Sequence, residues 1–322
     1  MGERSTVLVI GTGFSGLCTA IRLKQEGVED FVILERAADV GGTWRDNNYP
    51  GCACDVQSHL YSFSFEKNPD WSRQFATQPE IWAYLRGCAE KYNILPHVRF
   101  NANVVNARFD EASATWVVRT EDGREFKSQL LVSGAGASAI EFVPQIASKV
   151  ATLDYFQRTP PWAMPKPDWV RTAIREVKPD GVVTTDGKTR KADVWQGQGG
   201  PEAYLGLAVS GFPNLFFLMG PNTGLGHSSM VYMIESQVNY VIDAVRTMKA
   251  QGLAVVDVRP EVQAQFVKKT QKRLAATVWG SGCKSWYINE SGKNTTLWPG
   301  FTFRYRAATN RFTPGDYVLK AK

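Results

Sequence analysis

Six residues near the amino terminus, Gly11-Thr12-Gly13-Phe14-Ser15-Gly16, carry the spacing G-x-G-x-x-G. The chemistry that this spacing serves is the binding of a pyrophosphate. Gly11 permits a tight turn, Gly13 lets the backbone approach the phosphates, and Gly16 lets a following helix pack close to a sheet. The first N–H groups of that helix, at Phe14 and Ser15, then face an anion with the positive end of the helix dipole behind them. Glu35 follows at close to the ~20 residues expected of the ribose-binding acid. A carboxylate there accepts from a ribose 2′-hydroxyl and repels a 2′-phosphate. The first site therefore fits FAD or NAD and disfavours NADP.

A second fingerprint, Gly134-Ala135-Gly136-Ala137-Ser138-Ala139, reads G-x-G-x-x-A. It follows an apolar strand at residues 129–132, and the candidate contacts are Gly134, Gly136 and Ser138. Arg158-Thr159 lies just past an apolar stretch at residues 153–156. A guanidinium in that place can take a 2′-phosphate bidentately, so this second site fits NADP.

The elements that must position these residues follow from the pattern. Residues 7–10 and 31–34 are short aliphatic runs on either side of a helical pattern, a β-α-β unit with a parallel pair. Residues 39–55 carry Gly, Asn and Pro without helical period and read as a long structured loop. Residues 79–91 read as a helix, with Ile81, Tyr84, Leu85 and Cys88 on one face. Residues 115–120 and 125–131 are strand-like around Asp122-Gly123, a strong hairpin signal. Val182-Val183 and the Asp186-Gly187 turn suggest a second, small hairpin. Residues 214–219 form another buried strand, ending at Gly220-Pro221, with a helix expected over 225–249. The fold class is α/β: a Rossmann-like FAD-binding domain with a parallel sheet plus an antiparallel hairpin, and a reduced remnant of a second nucleotide-binding domain.

Composition bounds the function classes. The 322 residues are 43% hydrophobic and 21% charged, an ordinary globular balance. The net charge of +6 favours anionic partners without naming one. Lys268, Lys269, Lys272 and Arg273 cluster, as do Lys188, Arg190 and Lys191, and solvated faces explain both. The basic residues lack interleaved aromatics, which argues against nucleic-acid binding. Five cysteines without framework spacing argue against a disulfide scaffold and for a reducing cytoplasm. No apolar run reaches the ~18 residues of a membrane span, and no signal-peptide pattern opens the chain. There is no Gly-x-Ser-x-Gly elbow, and Cys52-x-Cys54 with His59 matches no zinc spacing.

The stretch from Gly41 to Asp55, Gly-Gly-Thr-Trp-Arg-Asp-Asn-Asn-Tyr-Pro-Gly-Cys-Ala-Cys-Asp, resembles a signature of the Baeyer–Villiger monooxygenases. Residues 59–65, 69–71, 157–162, 220–227 and 285–287 are similar to that family as well. The resemblance covers most of the chain and is specific. It implies a flavoprotein that binds FAD and uses NADP(H). Such an enzyme inserts one oxygen atom from O2 into a ketone, or oxidises a heteroatom, through a peroxyflavin. It implies that Glu35, with Arg36 beside it, holds the FAD ribose. Gly42, Thr43, Trp44, Asp55 and Tyr61 line the flavin, and Val104 meets adenine through its backbone. Asn222 and Thr223, between a strand end and a helix start, face a flavin carbonyl with N–H donors. Asp55 is the expected catalytic residue, as the partner that orients an arginine beside the flavin. The implied arrangement is a first part of the FAD-binding domain at 1–135, a reduced NADP-domain remnant at 136–194, and a second part of the FAD-binding domain at 195–322.

The sequence departs from the family in one large respect. The linker signature F-x-G-x-x-x-H-x-x-x-W-P is absent, and none of His59, His97 and His227 has a tryptophan four residues on. The loop that carries the catalytic arginine is skipped, which leaves Arg158 and Arg171 as candidates by chain proximity alone. Residues 136–194 are fewer than the ~100 a complete nucleotide domain needs. Three origins fit these seams: an engineered reduction, a natural short form, or ordered pieces of a longer chain joined end to end. The alternative function is an FAD-binding core without productive NADPH binding, which leaks peroxide. Trp286 and Trp298 sit on a late loop where NADP or substrate contacts are plausible.

Overall fold

The computed structural model describes residues 2–134, 200–225, 228–278, 288 and 291–322, together with the backbone of three short strands at 174–178, 181–184 and 189–190. The chain opens with β1 (Glu3–Ile10), α1 (Phe14–Gln25) and β2 (Phe31–Leu34). Residues 7–10 and 31–34 are buried without alternation. That is the pattern of strands covered on both faces of a parallel sheet. β1 and β2 pair in parallel, from Val7 opposite Phe31 to Ile10 opposite Leu34.

The loop after β2 contains one short helix, α2 (Thr43–Asp46), and leads to α3 (Gln78–Lys91). A capping box fixes the start of α3, since the Thr77 hydroxyl and the Glu80 carboxylate serve each other's turn. β3 (Val98–Arg99) adds to the far side of β2, and β4 (Val104–Asp110), β5 (Thr115–Thr120) and β6 (Glu125–Gly134) follow. Asp122-Gly123 turns the hairpin between β5 and β6, and Gly123 takes φ +85° there.

β7 (Ile174–Lys178), β8 (Gly181–Thr184) and β9 (Thr189–Arg190) form a separate antiparallel sheet. The hairpin read at Val182-Val183 is the β8–β9 pair. β10 (Leu215–Leu218) then rejoins the main sheet. β6 is the strand that unites the parts. One edge runs parallel to β1. Its other edge pairs antiparallel with β5 through Ser128, and parallel with β10 from Leu131 to Gly134.

The remaining elements are α4 (Met230–Gln251), β11 (Leu253–Val258), α5 (Pro260–Ala275), α6 (Thr302–Ala308) and β12 (Tyr317–Ala321). β11 and β12 pair antiparallel. α4 begins at Met230, not at the expected 225, because the Ser229 hydroxyl caps it by accepting from the Val231 N–H. Val7 and Val9 of β1 pack with α1, α3 and α4 on one face of the sheet. Leu8 and Ile10 pack on the other face with Trp116, Val118 and Phe126 of the hairpin. The two faces of the sheet are thus covered by a helical layer and by side chains of the hairpin, and β1, β2 and β6 end together at its carboxyl edge. No helix among the described residues is long and apolar enough to cross a membrane.

Candidate functional site

β1, β2 and β6 end along the carboxyl edge of the sheet, and the glycine turn lies there. Gly11 takes φ +90° and donates its N–H to the Leu34 carbonyl at 2.8 Å. Gly16 lies so close beneath this turn that a Cβ would stand 1.9 Å from the Gly11 carbonyl oxygen. No larger residue fits, which is the close packing the third glycine is expected to allow. No side chain caps α1 at Gly13, so the dipole end at Phe14 and Ser15 is open to an anion. Gly13 faces Gly42 across the turn, where a Cβ on Gly42 would approach the Gly13 Cα to 3.0 Å.

Glu35 is 1% exposed, and both carboxylate oxygens have partners within the chain. Oε2 accepts from the Thr12 N–H at 2.9 Å and the Thr12 hydroxyl at 2.5 Å. Oε1 accepts from the Ala37 N–H at 3.0 Å and pairs with Arg45 at 3.0 Å. Arg45 also binds Asp46 through Nε at 2.8 Å, and Arg36 binds the same Asp46 at 3.0 Å. Burial pushes the Asp46 carboxyl upward, but hydrogen bonds and charge from Arg45 and Arg36 outweigh it and hold it below its ordinary value. Arg45 was not among the residues read from the sequence. Arginine three residues past a Gly-Gly pair gives no signal by itself.

A wall of aromatic rings adjoins the turn. Tyr61 meets Phe14 edge-on at 5.1 Å and Trp44 edge-on at 5.6 Å. The Trp44 indole donates to the Tyr61 hydroxyl at 3.2 Å. Behind this wall, α3 clamps the loop of residues 40–44. Trp82 donates its indole N–H to the Val40 carbonyl at 2.9 Å, and the Gln78 side-chain amide donates to the Trp44 carbonyl. Thr43 opens α2 within the clamped loop. Cys54 lies nearby, and burial pushes its thiol up to about 11. A thiol held protonated is a poor metal ligand.

The segment after β10 is held by a late part of the chain. The Asn222 N–H donates to the Thr295 carbonyl at 2.9 Å and the Gly224 N–H to the Thr296 carbonyl at 2.8 Å. The Asn222 side-chain amide donates to the carbonyls of Asn294 and Leu297. These donors are paired within the chain. A late segment, residues 294–298, runs beside the turn and meets it in a bridge between Gly224 and Leu297. Thr223 is buried, with its hydroxyl on the Gly220 carbonyl at 2.7 Å. Trp298 is buried against Tyr305 at 4.9 Å.

Gly134, read from the sequence as part of the second fingerprint, ends β6 beside Ser15, where a Cβ would stand 3.2 Å from the serine Cβ. Val104 opens β4 after a stretch that touches the ribose acid's own backbone, since the Ala102 N–H donates to the Glu35 carbonyl at 2.8 Å. Asp55 is exposed at the end of the loop. Gly136, Ser138, Arg158, Thr159, Arg171, His227 and Trp286 lie outside the described residues.

Comparison with known proteins bears on this geometry. A family model described as an NAD(P)-binding Rossmann-like domain matches residues 9–78. A Baeyer-Villiger monooxygenase of Pseudomonas aeruginosa is 36% identical over 479 positions, spanning 97% of this chain and 91% of that protein. A Baeyer-Villiger monooxygenase of Streptomyces coelicolor is 32% identical, spanning 98% and 93%. Among solved structures, a steroid monooxygenase bound to NADP superposes with a TM-score of 0.73 at 20% identity, covering 99% of this chain and 100% of that one. A closed cyclohexanone monooxygenase gives 0.73 at 19% identity, covering 100% of both. The solved structures support the fold, and the two sequences carry the family. The 479 matched positions exceed the 322 residues present, so the Pseudomonas protein has internal segments without counterpart here. A kinship that runs along nearly the whole chain favours a monooxygenase over a flavin-binding core without that chemistry. The chain belongs to the Baeyer–Villiger monooxygenase family of flavin-dependent enzymes.

Proposed function

We propose that the chain binds FAD along the carboxyl edge of β1, β2 and β6, takes electrons from NADPH, and transfers one oxygen atom from O2 to a ketone or a soft heteroatom. The observation that carries this reading is the phosphate turn, in which Gly16, Gly13 and Gly42 leave room for backbone-to-phosphate approach beside a buried acid. Bound FAD supplies the electron transfer and the activation of oxygen.

The chain's own residues bind, orient and exclude water. The uncapped start of α1 offers N–H donors to the diphosphate. Glu35 takes the adenosine ribose, with Arg36 beside it, and Val104 serves the adenine. Gly42, Thr43, Trp44 and Tyr61 form an apolar side to the flavin, with the Trp44–Tyr61 hydrogen bond fixing both rings. Asp55 orients an arginine toward the flavin, and Gly136, Ser138, Arg158 and Thr159 serve NADP. Thr223 holds the turn after β10. The FAD-binding domain is then built from 1–135 and 195–322 around a short NADP segment at 136–194. The working compartment is the cytoplasm.

The test is anaerobic addition of NADPH to the FAD-loaded protein, with the flavin absorbance followed, then admission of air and a ketone. Bleaching followed by lactone or ester formation is expected. FAD that stays oxidised under NADPH refutes the proposed electron donor. Bleaching that yields only hydrogen peroxide refutes oxygen transfer.

A further inference from the structure

We propose that Arg45 is the positioning residue of the ribose-binding carboxylate, an inference that rests on the FAD site proposed above. Glu35 is buried and touches the N–H of Thr12, a residue of the phosphate turn itself. A buried carboxylate in that place would repel a dianionic diphosphate bound a few ångströms away. Three of its four partners, the N–H groups of Thr12 and Ala37 and the Thr12 hydroxyl, are neutral. Arg45 is the partner that brings a positive charge.

The guanidinium is held on all sides. Its Nε meets Asp46 Oδ1 at 2.8 Å and its Nη2 meets Asp46 Oδ2 at 3.2 Å, a two-pronged contact. Its Nη1 reaches both Glu35 and the Asp39 carbonyl. Arg36 closes the row on Asp46. Charges therefore alternate from Glu35 to Arg45 to Asp46 to Arg36. The side chain of Arg45 is 11% exposed, so solvent screens its pair with Glu35 weakly. The planar fork of arginine spans two acids, which a lysine ammonium cannot do in one fixed geometry. Arg45 thus lets an acid that selects a free ribose sit beside phosphates without opposing them. It comes from the loop after β2, so the glycine fingerprint and its acid are completed by a residue outside both.

The test is FAD affinity of the cofactor-stripped protein, read by quenching of FAD fluorescence, with ADP as a competing probe that retains the adenosine ribose. Arg45→Met should weaken FAD and ADP binding roughly tenfold or more, the size of one charge-assisted hydrogen bond. Arg45→Lys should recover part of the loss while folding normally. In a Glu35→Gln background, Arg45→Met should cost little, because the charge it compensates is gone. Wild-type affinity in Arg45→Met overturns the proposal, and so does an equal loss in the Glu35→Gln background. Failure of the unaltered protein to bind FAD would instead remove the cofactor reading on which the proposal stands.

Discussion

The edge of the Trp82 ring occupies the space that a side chain on Gly41 would need: a Cβ there would stand 2.6 Å from the indole Cδ1. Gly41 also takes φ +123°, which favours glycine. Helix α3 is therefore a mould for the loop of residues 40–44, which the proposed function places against the flavin. Trp82→Phe removes the hydrogen bond to the Val40 carbonyl while leaving most of the ring. We expect a stability loss of about 1 kcal/mol, read from a urea midpoint, with a larger proportional loss of FAD affinity. Loss of stability with FAD affinity untouched would show that the mould does not shape the site.

Gly16→Ala tests the phosphate turn. The added methyl meets the Gly11 carbonyl at 1.9 Å, backbone against backbone, and neither can yield cheaply. An overpacking cost of about 1–3 kcal/mol is expected, with loss of bound FAD as seen in the absorbance of the purified protein. A yellow protein of unchanged melting temperature would contradict the geometry.

Glu235 joins the loop before α3 to α4 and α6. It is 7% exposed, accepts from the Ser64 N–H at 2.5 Å and the Ser64 hydroxyl at 2.7 Å, and pairs with Arg306 at 3.3 Å. Glu235→Leu removes the acceptor of both Ser64 donors and one partner of the partly buried Arg306 guanidinium, which keeps the Ser236 hydroxyl. A loss of about 1–2 kcal/mol is expected in chemical denaturation, less than for a fully buried pair because Ser64 is exposed and Arg306 is partly solvated. A loss below about 0.5 kcal/mol would mean that water replaces the carboxylate without penalty.

Acid should loosen the start of α3 before it reaches the sheet. Hydrogen bonds from the Ser72 N–H first, and from Thr77, lower the Glu80 carboxyl to about 2. A depressed folded value contributes stability above the unfolded value of 4.5, and that contribution disappears as pH falls from there toward 2. The denaturation midpoint of Glu80→Gln should therefore trail the unaltered protein at neutral pH and converge with it near pH 2–3. Curves that stay parallel across that window would exclude the linkage.

The parts of the fold written in local spacing were legible before any coordinates. The glycine turn, the acid at Glu35, the Asp122-Gly123 hairpin and the apolar runs of β1, β2 and β10 each state their geometry within a few residues. What escaped depends on partners far along the chain. Nothing near Asn222 announces that residues 294–298 will take its donors, and nothing near Leu253 announces its pairing with β12. The clamp by Gln78 and Trp82, and the charge row through Arg45, are likewise contacts between a helix or loop and a neighbour fixed only by the fold. The late start of α4 was missed because Leu225 continues the apolar pattern, while the serine that stops the helix from extending backward looks ordinary in the sequence.

The divided edge of β6 sets an order of events during synthesis. As the ribosome delivers the chain, β1, β2 and the hairpin can form, but the stretch from Leu131 to Gly134 lacks its second neighbour until β10 emerges. Until then the end of β6, led by Leu131 and Val132, presents unpaired backbone groups to any strand that passes. The nascent polypeptide should thus be most liable to aggregate when it is long enough to expose Leu131 yet too short to include Leu215, and a chaperone that guards strand edges would find its client in that interval.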